Sequence, residues 1–173
     1  MYFYDPHHRF PPVSTPDIRV LILGSMPGVR SLALNQYYGH PRNLFWPLMA
    51  ELVGVPVAAP YAERLVLLNA AGIGLWDSLQ AAERPGSLDA SIVTHTEVAN
   101  DFPTFLADHR RVRAIAFNGK KSESTFTKHV LKAGHADLFT NIALLPMPST
   151  SPANASIPLV EKRRRWEELL VYL

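Results

Sequence analysis

The 173-residue sequence contains no cysteine. Disulfides and thiolate catalysis are thereby excluded, as is structural zinc built on Cys ligands. Iron–sulfur clusters lose their usual thiolate ligands as well. No run of about 18 apolar residues occurs, so no membrane-spanning helix is expected. The opening Met1-Tyr2-Phe3-Tyr4-Asp5-Pro6-His7-His8 lacks both the basic start and the apolar run of a signal peptide, and a cytoplasmic location is expected. Charge is scarce: 18% of residues are charged and the formal net charge is +2. The global balance therefore gives no argument for a nucleic-acid partner; only clustering on one face would. The two visible clusters, Lys120-Lys121 and Lys162-Arg163-Arg164-Arg165, read first as solvated helix faces.

What is present is an ordinary globular balance, 47% hydrophobic, in a length suited to a single domain over residues 1–173. Residues 1–17 read as an irregular lead-in, because Pro6, Pro11, Pro12 and Pro16 forbid a helix. Short apolar runs predict strands at 20–23, 65–68, 114–117 and 142–145. Between and after them, helical patterns fall near 45–53, 75–82, 102–109, 122–133 and 158–172. Gly134 is a plausible stop for the fourth helix, and Pro158 suits the first turn of the last. The fold class expected is α/β: a mainly parallel four-stranded sheet flanked by helices as a three-layer sandwich. Ligands of such sheets bind outside the carboxyl ends of the strands.

Two conspicuous loops sit at strand carboxyl ends. Arg19-Val20-Leu21-Ile22-Leu23 runs into Gly24-Ser25-Met26-Pro27-Gly28, where glycines permit close backbone approach and Pro27 stiffens the path. Downstream, Ile142-Ala143-Leu144-Leu145 ends in Pro146-Met147-Pro148-Ser149-Thr150-Ser151-Pro152-Ala153-Asn154. A third segment, Tyr37-Tyr38-Gly39-His40-Pro41-Arg42-Asn43-Leu44-Phe45-Trp46, follows the first loop. There Asn43 has two readings: a helix cap, or an amide that orients a water or reads a base edge. Phe45 and Trp46 are both candidates for core packing, and His40 for a hydrogen-bonded structural role, a general acid or a phosphate contact. Asn118-Gly119-Lys120 offers N–H groups and a cation to a phosphate. Gly72-Ile73-Gly74-Leu75-Trp76-Asp77 reads mainly as a helix entry, and Asp77 and Asp89 as exposed or capping carboxylates.

Together the three segments resemble the uracil-DNA glycosylase superfamily, most closely its hypoxanthine-DNA glycosylase branch, with mismatch-specific uracil glycosylases as near relatives. The resemblance implies a monofunctional enzyme that hydrolyses the N-glycosidic bond of hypoxanthine or uracil in DNA and leaves an abasic site. It implies Asn43 as the catalytic group and a base pocket of Gly24, Ser25, Met26, Pro27, Tyr38 and Phe45, with the base stacked on Phe45. It also implies DNA contacts from Ser149, Thr150, Ser151 and Lys120. No cofactor, metal, iron–sulfur cluster or membrane is expected, and the partner would be DNA carrying deaminated bases, met by a monomer. Two positions depart from the pattern: Met26 stands where many relatives place Asp or Asn, and Met147 where they often place His or Asn. Those methionines favour a second reading, a DNA- or nucleotide-binding module that has lost the chemistry. A third, an unrelated α/β hydrolase, lacks the Gly-x-Ser-x-Gly elbow.

Overall fold

The computed structural model describes residues 10–173. Its centre is a parallel four-stranded sheet: β1 (Val20–Gly24), β2 (Ile73–Asp77), β5 (Ala114–Asn118) and β6 (Ala143–Met147), in the order β2-β1-β5-β6. A small antiparallel pair, β3 (Leu79–Ala81) and β4 (Val98–Ala99), lies apart from it. The helices are α1 (Val29–Leu34), α2 (Phe45–Val53), α3 (Tyr61–Ala70), α4 (Phe102–Asp108), α5 (Lys120–Phe126) and α6 (Leu159–Trp166). Among the described residues no helix is long and apolar enough to cross a membrane.

Strand β1 is buried along its whole length, because side chains alternate faces and both faces are covered. Val20 and Ile22 pack with Ile73, Leu75, Ala114 and Ala116 against α2, α6 and Leu68 of α3. Leu21 and Leu23 point the other way, with Trp76, Ile115 and Phe117 against Phe102 and Phe105 of α4 and Phe126 of α5. Two cores on two faces make the three-layer α/β sandwich that the sequence predicted.

Two elements differ from the expectation. Residues 65–68 lie inside α3, not in a strand. Four consecutive apolar residues mimic a buried strand, yet Val66 is 68% exposed and only Leu68 is fully covered. Pro60 precedes the helix, and Gly72, at φ 90°, turns the chain after it. The displaced strand is Ile73–Asp77, paired in parallel with Val20–Gly24. The helix expected at 75–82 is therefore absent, replaced by β2 and β3. Of the lead-in, residues 1–9 lie outside the described residues. Residues 10–17 contain no helix, but Val13 and Leu75 exchange backbone hydrogen bonds of 2.8 and 2.9 Å, so the segment borders β2. The helix expected at 122–133 begins at Lys120 and continues in wider turns over Thr127–His135, with Gly134 at φ 105°.

Candidate active site

Gly24, Asp77 and Asn118 end three adjacent strands; Gly24 is in register with Asp77, and Asn118 with Met147. A cavity of about 350 Å³ opens above these ends. Its walls include the whole Gly24–Gly28 loop, Tyr38, His40, Asn43, Asp77, Asn118 and Ser149–Ser151. A volume of that order suits a small-molecule or base-sized ligand.

The first loop is fixed on both sides. Ser78 and Leu79 donate backbone N–H bonds of 2.8 and 3.0 Å to the Gly24 and Ser25 carbonyls. Arg84, reaching from the segment between β3 and β4, donates to the Pro27 carbonyl at 2.5 Å. The Ser25 hydroxyl donates to Asp89 at 2.6 Å, so exposed Asp89 secures the loop from outside. Gly24 leaves room for Asp77: a Cβ there would lie 2.6 Å from Asp77 Oδ1, so that side chain would have to shift.

Asn43 caps the helix entry, as one of its two sequence readings expected, and lies in the cavity wall. Its Oδ1 accepts from the Phe45 N–H at 2.9 Å, securing the entry to α2. That bond orients the amide, and among the described residues Nδ2 makes no hydrogen bond in this cavity wall. Asn43 therefore presents a donor to the cavity. The neighbouring Leu44 N–H donates to the Thr150 carbonyl at 3.0 Å, which joins this segment to the second loop. His40, also in the cavity wall, accepts at Nδ1 from the Arg42 N–H at 3.1 Å.

Phe45 is not in the cavity wall. It is fully buried, and Tyr38 lies over it with ring centroids 4.0 Å apart and planes at 21°. Tyr38, unlike Phe45, is in the cavity wall, and its φ of 55° is a strained backbone for a bulky residue. Its buried hydroxyl lies near the Asn118 side chain but makes no hydrogen bond of good geometry. Burial raises the Tyr38 pKa strongly and the adjoining Asp77 carboxylate adds to that, with the Asn118 side chain opposing.

Thr150 is equally unlike its expectation. It is fully buried, its N–H donates to Asn118 Oδ1 and its hydroxyl accepts from Asn118 Nδ2, both at 2.9 Å. With no exposed surface, Thr150 does not reach a phosphate; it is a structural clasp. Ser149 and Ser151 are half-buried at the rim. Their hydroxyls accept from the Ser151 and Ala153 N–H groups at 3.2 Å and can donate outward. Gly119, at φ 96°, lets Ser149 approach, since a Cβ there would lie 3.1 Å from Ser149 Cβ. Lys120 is exposed at the start of α5, outside the cavity wall.

Met26 and Met147 are both buried: Met26 packs with Leu79, Ala82 and Ile92, and Met147 in the core beneath the sheet. The Lys162–Arg165 cluster is largely spent within the fold. Lys162 is 1% exposed and donates to the Asn154 carbonyl at 2.7 Å, while Arg163 and Arg164 pair with Glu51, Glu167 and Glu161.

The residue that sequence reasoning missed is Asp77. It is 5% exposed in the cavity wall, and Oδ2 has no partner. Burial pushes its carboxyl up to about 7, with the Asp89 carboxylate adding and the Arg84 guanidinium opposing. Among the described residues no group of three or more His, Asp or Glu side chains is placed to hold a metal.

A ligand cavity outside the carboxyl ends of a covered parallel sheet, with amides and hydroxyls at its mouth, is where an α/β enzyme of this architecture holds its substrate. The chain belongs to the uracil DNA glycosylase superfamily, whose family model matches residues 11–170. It is similar to the hypoxanthine DNA glycosylases of two archaea. The one from Methanosarcina barkeri (strain Fusaro) is 40% identical over 114 residues, covering 65% of this chain and 71% of the relative. The one from Methanosarcina acetivorans is 39% identical over the same coverage. A solution structure from M. acetivorans, described as a candidate uracil DNA glycosylase, superposes with a TM-score of 0.77 at 32% identity. That match covers 94% of this chain and 95% of the other.

Proposed function

We propose that this protein, as a single-domain cytoplasmic monomer, hydrolyses the N-glycosidic bond of hypoxanthine, uracil or both in DNA. The observation that carries the reading is the cavity itself: the first loop, the Asn43 segment and the Pro-Ser-Thr-Ser loop form one wall, in a chain 40% identical to a hypoxanthine DNA glycosylase.

Inside a duplex the scissile bond is inaccessible, so the nucleotide must leave the stack at a cost of roughly a few kcal/mol. Stacking against the Tyr38 ring, backed by Phe45, returns about 1–3 kcal/mol of that. As the bond breaks, positive charge builds on the sugar and negative charge on the departing base. The Asn43 Nδ2 donor and the Gly24–Gly28 backbone are fixed before the substrate arrives, so they stabilise that charge without reorganising. Ser149 and Ser151 at the rim, with Lys120 beyond it, supply phosphate contacts, which position the strand and carry no sequence information. The chemistry uses water and the protein's own groups and needs no cofactor.

The test is release of base from defined duplexes and single strands carrying hypoxanthine or uracil, read as alkali-sensitive strand breaks in the presence of EDTA. Cleavage of either lesion is expected. Binding to DNA with no release from any of them would leave the binding-module reading in its place.

A further inference from the structure

Positive charge is concentrated in one stretch of this chain. Residues 120–135 hold four lysines and one glutamate, a surplus greater than the net +2 of the whole sequence. The surplus is also confined to one side of a helix. In α5 and the wider turns that continue it to His135, Lys120, Ser124, Lys128 and Lys132 are exposed, each four residues after the last. Ser122, Thr125, Phe126 and Val130 between them are buried. In an α-helix a four-residue step overshoots a full turn by about 40°. The wider turns after Phe126, which bond to the fifth residue rather than the fourth, swing the line back. Three lysines therefore share one outward line. The buried Glu97 carboxylate takes up their neighbours: it accepts from Lys121 and, at 2.8 Å, from His129, with Lys128 at 3.7 Å. Among the described residues Lys120 and Lys132 form no ion pair.

The line starts at the cavity mouth and leads away from it. Gly119, immediately before Lys120, packs against Ser149 of the rim. Strands β5 and β6 are parallel, so the chain between them returns from the carboxyl end of the sheet to its amino end. The lysines lie on that return and span roughly 15–18 Å, at about 1.5 Å per residue. They therefore run down the side of the sandwich rather than across its top. A duplex, with a persistence length of about 150 base pairs, passes straight over the mouth. A single strand is flexible enough to turn down the side. Resting on the glycosylase reading above, we infer that Lys120, Lys128 and Lys132 form a track for single-stranded DNA flanking the lesion. At about 3.4 Å or more per phosphate, the track holds roughly three to five of them.

Lysine suits this task. Its ammonium is a compact point charge on a flexible stem, so it follows a mobile backbone without demanding one geometry. Each phosphate it neutralises releases counterions, which makes the contact salt-dependent and indifferent to sequence. Contacts this far from the scissile bond are the same before and during bond breakage. They add affinity and leave the chemical step alone. The protein would then hold a lesion in an unpaired or frayed stretch more tightly than the same lesion in a closed duplex.

The test uses a single strand of about 20 nucleotides with one central, uncleavable 2′-fluoro-2′-deoxyuridine, and the same strand in a duplex, over a range of salt. Fluorescence anisotropy gives the affinities. Joint Lys128→Gln and Lys132→Gln should lower the single-strand salt slope by about 1.4, since each lost phosphate contact removes about 0.7. At about 0.1 M salt that is a roughly 10–30-fold loss of single-strand affinity, against less than about threefold on the duplex. Joint Lys128→Arg and Lys132→Arg keeps both charges and should bind the single strand like the wild type. Trimming the strand to about five nucleotides around the lesion removes the flank and should erase the difference between wild type and Gln variant. Neither lysine lines the cavity, so single-turnover base release at saturating protein should not change. An unchanged single-strand slope, an equal loss on the duplex, or an Arg variant as weak as the Gln variant overturns the inference. If the wild type releases no base from any substrate, the functional reading fails, and the binding comparison decides the track by itself.

Discussion

Asn118 and Thr150 hold each other through two hydrogen bonds of 2.9 Å, the amide of one spanning the N–H and hydroxyl of the other. Asn118 closes β5, and Thr150 lies in the loop that leaves β6. The clasp seats the Ser149–Ser151 loop over the strand ends, and both partners are buried. Removing the Thr150 hydroxyl strands an amide donor in a dry place. Thr150→Ala should therefore lower stability by about 1–3 kcal/mol. Thr150→Ser keeps the hydroxyl and should lose much less. Thermal melts of the two variants decide the matter; equal melting temperatures would mean that the clasp carries no stability.

Asn43 separates capping from chemistry by atom. Asn43→Ala loses the bond to the Phe45 N–H and should cost about 1 kcal/mol of stability. Asn43→Asp keeps that acceptor but removes the Nδ2 donor. It should melt close to the wild type while releasing base about 10²–10³ times more slowly. An Asp variant with normal turnover would remove the catalytic role from the amide.

Met26 belongs to two environments, the cavity wall and a small apolar cluster with Leu79, Ala82 and Ile92. Reading the sequence alone, Asn at this position would be tolerated. Burial at 7% exposure changes that expectation: Met26→Asn places an amide among apolar side chains and should cost about 1–3 kcal/mol. Met26→Leu, which conserves volume, should cost under about 1.5 kcal/mol. Chemical denaturation of both variants provides the comparison.

Asp77 makes stability depend on pH. Its folded pKa of about 7 lies above the ordinary aspartate value of 3.8. Below the ordinary value both states hold the proton and the group imposes no penalty. Between the two values the unfolded chain gives up the proton while the folded protein keeps it, so stability falls as pH rises and levels off above about 7. The full difference is on the order of 4 kcal/mol, an upper figure for a group this buried. Asp77→Asn removes the effect, so its melting temperature relative to the wild type should climb from pH 4 to pH 7 and then stay constant. A constant difference across that range would mean that the carboxyl is not held neutral.

Much of this was visible in the sequence. The two loops after 20–23 and 142–145 carry their own signal, because an apolar strand that runs into Gly or Pro marks a carboxyl end. Asp77 was hidden by one wrong assignment. Reading 65–68 as the strand turned Gly72–Asp77 into a helix entry, and Asp77 into a solvent-facing carboxylate. The glycines at 72 and 74 argue against a helix there, and a strand at Ile73–Asp77 would have placed Asp77 level with Gly24. The covering of Phe45 by Tyr38 and the pairing of Thr150 with Asn118 leave no such local trace. They arise from contacts between segments far apart in the chain, which composition and periodicity do not encode.

Gly24, Asp77, Asn118 and Ser149 come from four distant stretches of the chain, and only the assembled sheet brings them to one rim. Because its walls come from all of these stretches, the cavity should form as cooperatively as the fold itself. Turnover then serves as a gauge of global folding. In denaturant, base release should vanish along the same curve as the far-ultraviolet signal, with no range in which an intact-looking protein has already lost its pocket.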